Sequence, residues 1–224
     1  MAVVIRPSDI EKNSMQIIAA ELEERGITLP EETERVVKRV IHTTADFDYA
    51  TNLTFTKNAV ARGVEALASG CGIVTDTNMA KSGVSKPALG KVGGTVECYM
   101  ADPDVAAAAK AAGTTRAVAA MQHAAEVAPN AVYAIGNAPT ALLQLEEQIR
   151  AGMRPSLIIG VPVGFVNVVE SKEQILRVCE EYDVPAIVAL GRKGGSNVAA
   201  AICNALLYAA ADLQDPAQRD WKTK

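Results

Sequence analysis

The chain has 224 residues, of which 49% are hydrophobic, 21% charged and 4% aromatic, and its net charge at neutral pH is −4. This composition is typical of a globular protein with an ample core, and the lack of a basic excess argues against a nucleic-acid partner. We expect a single domain over residues 1–224, with residues 211–224 as a C-terminal extension, because no Pro/Ser-rich linker or run of charge divides the chain.

The first third of the chain carries helical patterns. A capping box at Ser8–Glu11 predicts a helix that ends at Gly26. Pro30 opens a second helix, which runs to about His42. A short strand and a further helix are predicted at residues 52–55 and 57–68.

From residue 71 onward, short apolar runs alternate with helical stretches. Strands are predicted at residues 71–76, 95–99, 131–135, 156–159 and 186–190. Helices are predicted at residues 103–112, 115–127, 139–151, 171–182 and 197–211. Capping residues for the last two helices are found at Ser171 with Gln174 and at Ser196–Asn197. This alternation implies right-handed crossovers, so we predict a three-layer α/β/α sandwich around a largely parallel sheet.

Neither the cysteines nor the apolar runs indicate an extracellular or membrane protein. The four cysteines lack CxxC spacing, so neither a metal site nor a disulfide framework is expected. No apolar run reaches the length that spans a bilayer, and the N-terminal segment is too short for a signal peptide. The expectation is a cytoplasmic protein with no membrane partner.

His42 is the first candidate for a catalytic role. Arg35, Arg39 and His42 are spaced so that they share one flank of the predicted helix. The carbonyl end of the helix dipole favours a protonated imidazole, and a proton donor beside guanidinium groups suits a polyanionic substrate. Alternatively, the helix simply ends in a cation that its dipole stabilises. The other histidine, His123, falls in the middle of a helix and is interpreted as structural.

The loops that follow the predicted strands form the second group of candidates, because ligands of such sheets bind at the carboxyl ends of strands. Gly191–Asn197 places glycines and cations ahead of a helix, which suits a carboxylate or phosphate, although Walker and GxGxxG patterns are absent. Gly136–Thr140 could present the amide of Asn137. Residues 81–86 are read as a basic loop, and Arg116 begins a helix. Each also fits an ordinary turn, so these residues alone name no reaction.

Five segments form a specific combination: Ile41–Phe47, Thr75–Ala80, Ala134–Leu142, Gly160–Val166 and Ala189–Ser196. Together they resemble the precorrin-8X methylmutases of cobalamin biosynthesis, over roughly residues 8–211. The resemblance implies an α/β/α homodimer with its active site near the subunit interface. It also implies an isomerase without a separate cofactor, which moves a methyl group from carbon 11 to carbon 12 of precorrin-8X or cobalt-precorrin-8. The product would be hydrogenobyrinate or cobyrinate.

The same resemblance implies roles for particular residues. His42 corresponds to the family's proton donor to the tetrapyrrole. Ser14 matches a substrate-contact position, and Thr43 is a hydrogen-bond neighbour of the ring. Five cations could neutralise the ring carboxylates through charge-assisted contacts: Arg39, Lys86, Arg116, Arg192 and Lys193. The helix N-termini after Asn137 and Ser196 could accept further carboxylates, and no protein metal ligands are expected.

Two other classes of function compete with this interpretation. One is a non-catalytic tetrapyrrole carrier that retains its ligand tightly. The other is a phosphate- or nucleotide-dependent enzyme that uses Gly191–Asn197, which the missing nucleotide-binding patterns disfavour. The sequence does not decide whether the natural substrate carries cobalt, because the macrocycle rather than the protein would hold the metal.

Overall fold

Residues 7–219 are described by the computed structural model, so the end of the predicted C-terminal extension, residues 220–224 with Trp221, lies outside the described residues. The elements of the first third are α1 (Pro7–Glu24), α2 (Glu31–Thr44), α3 (Tyr49–Asn52), β1 (Leu53–Phe55) and α4 (Ala59–Ala68). The middle third contains β2 (Ile73–Thr75), α5 (Asn78–Gly83), α6 (Lys86–Lys91), β3 (Val96–Glu97), α7 (Pro103–Ala112) and α8 (Arg116–Val127).

The last third contains the remaining strands and the longest buried helix. Its elements are β4 (Val132–Ile135), α9 (Pro139–Arg150), β5 (Leu157–Gly160), α10 (Val168–Glu181), β6 (Ala186–Ala189), α11 (Ser196–Ala210) and a 3-10 helix (Pro216–Arg219). Within the described residues, no helix is both long and apolar enough to cross a bilayer.

The six strands form one sheet in the order β1-β6-β5-β4-β2-β3. β1 runs antiparallel to β6, with Leu53 opposite Ala189, and all other neighbours are parallel. The chain adds β3 on one side of β2 and then places β4, β5 and β6 successively on the other side. The direction of winding therefore reverses between β2 and β4, where a ligand crevice is expected in a parallel sheet.

Helices cover both faces of this sheet. Along β4, Val132 and Ala134 pack into the core on the side of α1, α2, α4 and α11, whereas Tyr133 and Ile135 pack into the core on the side of α7–α10. This alternation follows from the two-residue period of a strand. All four β4 side chains are almost fully buried. The prediction of a single, three-layer α/β/α domain with a largely parallel sheet is confirmed.

Three predicted helix caps are wrong, because the helices begin earlier than their capping patterns suggested. α1 already includes Pro7, so Ser8 is not its cap. The hydroxyl of Ser171 lies inside α10 and donates to the carbonyl of Val168 at 3.1 Å. Ser196 is itself the first residue of α11, and no side chain caps that helix.

The basic segment 81–86 was predicted as a loop, and this is also wrong. α5 extends through Gly83, and α6 begins at Lys86. The side chains of Thr77 and Ser85 accept hydrogen bonds from the first turns of these two short helices. At each helix start, a hydroxyl thus accepts from a first-turn N–H group that has no backbone partner.

Candidate active site at the C-terminal end of α2

α2 presents His42 to solvent because the opposite face of the helix is buried. Val36, Val40 and Ile41 are at most 1% exposed, whereas His42 is an exposed residue of the last turn. The helix ends at Ala45, whose backbone is left-handed and whose N–H donates to the carbonyl of Ile41 at 2.7 Å. The prediction of a helix that ends just after His42 is confirmed.

Two guanidinium groups converge on one carboxylate one turn before His42. Arg39 and Arg219 each place an Nη2 atom near Oε1 of Glu11, at 2.5 and 2.7 Å. Both guanidiniums also lie over the ring of Tyr208, with centroid distances of 5.3 and 4.0 Å. Because two positive charges share one negative charge, this cluster keeps a positive excess. Its electrostatic field reaches the imidazole of His42.

The pKa of His42 is lowered from its usual value. Partial burial of the ring disfavours the imidazolium, the charges of Arg39 and Arg219 act in the same direction, and Glu11 opposes them. The sequence-based expectation of a protonated imidazole considered only the helix dipole. Burial and the neighbouring charges instead favour the neutral imidazole.

A cavity of about 430 Å³ opens beside this cluster, between α1, α2, α11 and the segment before the 3-10 helix. Met15 and Tyr208 contribute apolar surface to it, and Arg35 and Arg39 contribute positive charge. An apolar wall with a cationic rim suits a large apolar ligand that carries carboxylates.

Ser14 and Thr43 lie on α1 and α2. We call the region where these two helices meet, around Glu11, Arg39 and His42, the α1–α2 corner. The Ser14 hydroxyl donates to the carbonyl of Ile10 at 2.8 Å, one turn earlier in α1. The Thr43 hydroxyl donates to the carbonyl of Arg39 at 3.0 Å. Each oxygen can still accept a hydrogen bond.

Lys193 links the segment Gly191–Asn197 to the turn that follows α2. The Lys193 ammonium lies 2.7 Å from Oδ2 of Asp46 and 2.5 Å from Oδ2 of Asp48, in the turn that follows α2. Arg192 is exposed and lies over the ring of Phe165, 5.5 Å from its centroid. Among residues 7–219, Arg192 has no carboxylate partner, so its charge is available to a ligand, whereas that of Lys193 is already shared.

The loop after β4 leaves the Asn137 side chain exposed but occupies its own backbone donors. The N–H groups of Gly136, Asn137 and Ala138 donate to the buried carboxylate of Asp76 at 2.8, 2.8 and 2.7 Å. These three donors precede the first turn of α9, which begins at Pro139. The carboxylate site expected at the helix N-terminus after Asn137 therefore stays a prediction, and it would have to use N–H groups other than these three.

The N-terminus of α11 lies against the same loop. A Cβ atom added to Gly136 would lie 2.7 Å from the Cα atom of Ser196, so the loop after β4 packs directly on this helix start. The Ser196 hydroxyl pairs with that of Thr77 at 2.7 Å. These contacts leave the N–H groups of Asn197 and Val198 unassigned, so the carboxylate site expected after Ser196 stays a prediction.

Within residues 7–219, no hydrogen bond or ion pair links Lys86 or Arg116 to His42. The Lys86 ammonium donates to the carbonyl of Lys81 at 2.7 Å, and its pKa is lowered by burial and by the charge of Lys81, with Glu97 opposing. Arg116 is the exposed first residue of α8, and the start of α8 contacts the start of α9.

Comparison with known proteins decides the family. The precorrin-8X methylmutase profile matches residues 9–209. The chain belongs to the precorrin-8X methylmutase family. It is 46% identical to the cobalt-precorrin-8 methylmutase of Salmonella typhimurium over 215 residues, covering 93% of this chain and 98% of the relative. It is 40% identical to the precorrin-8X methylmutase of Pseudomonas aeruginosa, covering 88% of this chain and 93% of the relative.

A solved structure gives the same result for the fold. The precorrin-8X methylmutase of Thermus thermophilus matches with a TM-score of 0.83 and 42% identity, covering 91% of this chain and 96% of that chain. The protein is thus an enzyme of the methylmutase class, which are isomerases. This agrees with the resemblance carried by the five sequence segments, and it removes the support for a nucleotide-dependent enzyme.

Sequence reasoning missed several residues that organise this methylmutase. Glu11 was assigned to a helix cap, although its carboxylate binds Arg39 and Arg219. Asp76 gave a usable signal, since it is a carboxylate directly after a buried strand. Lys172 gave another, because it occupies the apolar stripe of α10 and is fully buried. The pairing of Arg219 with Glu11 crosses 208 residues and had no local signal.

Proposed function

We propose that this methylmutase moves a methyl group from carbon 11 to carbon 12 of precorrin-8X or of cobalt-precorrin-8, with His42 as the proton donor. The product is hydrogenobyrinate or cobyrinate. The relatives carry both names, cobalt-precorrin-8 methylmutase and precorrin-8X methylmutase, which supports this substrate class without separating its two members. No separate cofactor takes part.

The observation that carries the proposal is the position of His42 beside a cluster with excess positive charge. Burial lowers the pKa of His42, and Arg39 and Arg219 lower it further, while Glu11 opposes them. Substrate carboxylates that bind Arg39 would compensate this charge, so the pKa of His42 would rise as the substrate enters. His42 would then be protonated while the tetrapyrrole is bound beside it. Binding and protonation are coupled in this scheme.

The reaction is an isomerisation, so the protons must balance. His42 gives one proton to the conjugated ring, which makes the ring electron-poor and favours migration of the methyl group with its bonding electrons. Loss of one proton from the product restores the original count and can recharge His42. The protein therefore contributes by positioning and electrostatics and forms no covalent intermediate.

Eight residues are candidates for substrate contact: Ser14, Arg39, Thr43, Lys86, Arg116, Asn137, Arg192 and Lys193. The geometry of α1 and α2 supports the first group, since Ser14 follows Glu11 by three residues on α1 and Arg39 binds Glu11 one turn before His42 and Thr43. Exposure supports Arg116, Asn137 and Arg192. Lys193 would have to share its charge between the substrate and two carboxylates that it already binds.

The decisive experiment is an absorbance assay of the purified protein with precorrin-8X and with its cobalt form. We expect wild type to convert at least one of them to the product spectrum. His42→Ala should bind the ring but leave its spectrum unchanged, and because His42 is exposed this variant should fold normally. His123→Ala is the matched control and should turn over like wild type.

The outcomes separate the proposal from its competitor. Turnover by His42→Ala at the wild-type rate would remove His42 as the acid. Tight binding by wild type without any spectral change on either substrate would contradict the mutase and favour a tetrapyrrole carrier.

We further propose that the enzyme works in the cytoplasm as a homodimer. The cysteines of the described chain are free thiols, three of them buried, which suits a reducing compartment. Phe165 and Val166 are 82% and 78% exposed after β5, and a second copy could cover such side chains. Light scattering tests this, and a monomer at assay concentration would contradict the dimer.

A further inference from the structure

The backbone of the loop 190–195 is held by a buried lysine. Lys172 is 0% exposed, and its ammonium donates to the carbonyls of Gly191 and Lys193 at 2.9 and 2.7 Å. Burial lowers the pKa of Lys172 to about 8, and within residues 7–219 no carboxylate pairs with it. A buried ammonium is costly unless it is hydrogen-bonded, so these two carbonyls are the interactions that make its position tolerable.

The other side of the same loop is pressed against the segment after β5. The N–H of Gly195 donates to the carbonyl of Val161 at 2.8 Å. A Cβ atom added to Gly194 would lie only 2.1 Å from that carbonyl oxygen, so only glycine fits. The backbone on both sides of Lys193 is thus fixed by contacts that do not involve its own side chain.

From this fixed backbone, the Lys193 side chain reaches the turn that follows His42. Its ammonium binds Asp46 and Asp48, and the hydrogen bond from Lys193 is the main reason that the pKa of Asp46 is lowered. A single exposed ion pair contributes little, because ordering two long side chains costs entropy. Here one cation serves two carboxylates from a preordered backbone, so less entropy is lost for each contact.

The turn passes this restraint on to the end of α2. The N–H of Asp48 donates to the carboxylate of Asp46 at 3.0 Å, and the N–H of Asp46 donates to the hydroxyl of Thr44 at 3.3 Å. Ala45 donates to the carbonyl of Ile41 at 2.7 Å. A continuous series of contacts therefore leads from Lys172, through Lys193 and the two aspartates, to the last turn of α2, which carries His42.

We propose that Lys193 and Lys172 are positioning residues for His42: Lys193 ties the turn after α2 to the loop 190–195, and Lys172 holds that loop in place. The inference rests on the proposed function of His42 as the acid. It assigns to Lys193 a role other than direct contact with a substrate carboxylate, and the two roles predict opposite results when the aspartates are changed.

The test compares Lys193→Gln, the double variant Asp46→Asn/Asp48→Asn, and the triple combination. If Lys193 positions the turn, each lowers kcat by about 10-fold with little change in KM, because misplacing a catalytic group costs rate rather than binding. The triple variant should be no slower than the double, since both remove the same tie. Arg62→Gln, which breaks an exposed ion pair to Asp183 between other elements, is the matched control.

One pattern of kinetics would overturn the proposal. If Asp46→Asn/Asp48→Asn keeps the wild-type kcat, or lowers KM because Lys193 is released, while Lys193→Gln raises KM, then Lys193 is a substrate ligand. All the side chains changed here are partly exposed, so these variants should fold.

Amide hydrogen exchange of the ligand-free protein tests the tie without any turnover. Lys172→Met should speed exchange in residues 190–195 and also in residues 42–48, and Lys193→Gln should do so in residues 42–48. Unchanged exchange in residues 42–48 in both variants would contradict the proposal. If wild type fails to convert either substrate, the proposed function fails, whereas the exchange data still decide whether the tie exists.

Discussion

Two regions of this methylmutase handle charge in opposite ways. At the reversal point between β2 and β4, the buried Asp76 receives three backbone N–H groups, and every charge is satisfied by the protein itself. At the α1–α2 corner, Arg39 and Arg219 share the single carboxylate of Glu11, and positive charge is left over. The loop after β4 therefore has no surplus charge at Asp76, whereas the α1–α2 corner beside His42 keeps a positive excess.

The two regions differ in how deeply their carboxylates are buried. Burial raises the pKa of Asp76, and the three N–H donors oppose that shift. Such a carboxylate belongs to the architecture, because removing it leaves buried donors without partners. Glu11 is only partly buried, and its removal leaves two cations that water or a ligand can reach. The first site should respond to mutation in stability, and the second in binding and in the pKa of His42.

The largest effect is expected from Asp76→Ala. One buried and two partly buried N–H groups lose their acceptor, so the free energy of unfolding should fall by about 3 kcal/mol. Denaturant unfolding followed by circular dichroism measures this. Asp76→Asn should be intermediate, because its amide oxygen can still accept. The exposed Glu24→Ala is the control and should change stability by less than about 0.5 kcal/mol. A loss no larger than that control would mean that water replaces the carboxylate and that the site is open.

A smaller effect is expected from Arg39→Gln. With one cation fewer, the pKa of His42 should rise toward its usual value, because burial and Arg219 alone then lower it. Near the pKa of His42 the folded protein binds fewer protons at this residue than the unfolded chain does. Its stability therefore falls as the pH drops from the usual pKa of 6.5 to the lowered pKa, and the variant should lose less stability over the same pH drop. Product affinity should fall by about 10-fold if a charge-assisted contact to a carboxylate is lost.

NMR titration of the His42 ring and calorimetry with the product measure these two changes. Arg62→Gln, which breaks an exposed ion pair to Asp183, is the matched control. An unchanged pKa of His42 together with unchanged affinity would show that the corner is screened by solvent and is not the binding region.

The sequence predicted the architecture well because strands and helices leave local patterns. The apolar runs of β4, β5 and β6 are buried on both faces, and their positions agree with prediction to within two residues. Two of the caps failed because the hydroxyls of Ser171 and Ser196 bind the Val168 carbonyl and the Thr77 hydroxyl rather than the N–H groups of a first helical turn. Capping patterns are short, so tertiary contacts readily override them.

The candidate site was only partly predictable. His42 and Arg39 share one helix face, so their spacing predicted that they act together. The charge state of His42 was not predictable, because it depends on Glu11 from α1 and Arg219 from the end of the described chain. Lys193 binds Asp46 and Asp48, which lie about 145 residues earlier in the chain, and neither segment alone predicts this contact.

The smallest effect in stability, and the sharpest contrast with Asp76, is expected from Glu11→Gln. Its ion pairs are partly exposed, and the amide oxygen can still accept from one guanidinium, so unfolding should change by no more than about 1 kcal/mol. Glu11 is the group that raises the pKa of His42, so this pKa should fall further in the variant. Product binding should tighten, because Arg39 and Arg219 no longer share their charge with a protein carboxylate.

Calorimetry with the product and NMR titration of His42 on Glu11→Gln measure these effects, with Glu24→Ala again as the control. If binding weakens instead, Glu11 orients Arg39 for the ligand rather than competing with it. Such a result would place Glu11 with Asp76, as a carboxylate that builds the site. The geometry favours competition between Glu11 and a ligand for Arg39. Arg39 and Arg219 contact the same Oε1 atom of Glu11, so that atom keeps Arg219 as a partner when Arg39 binds a ligand.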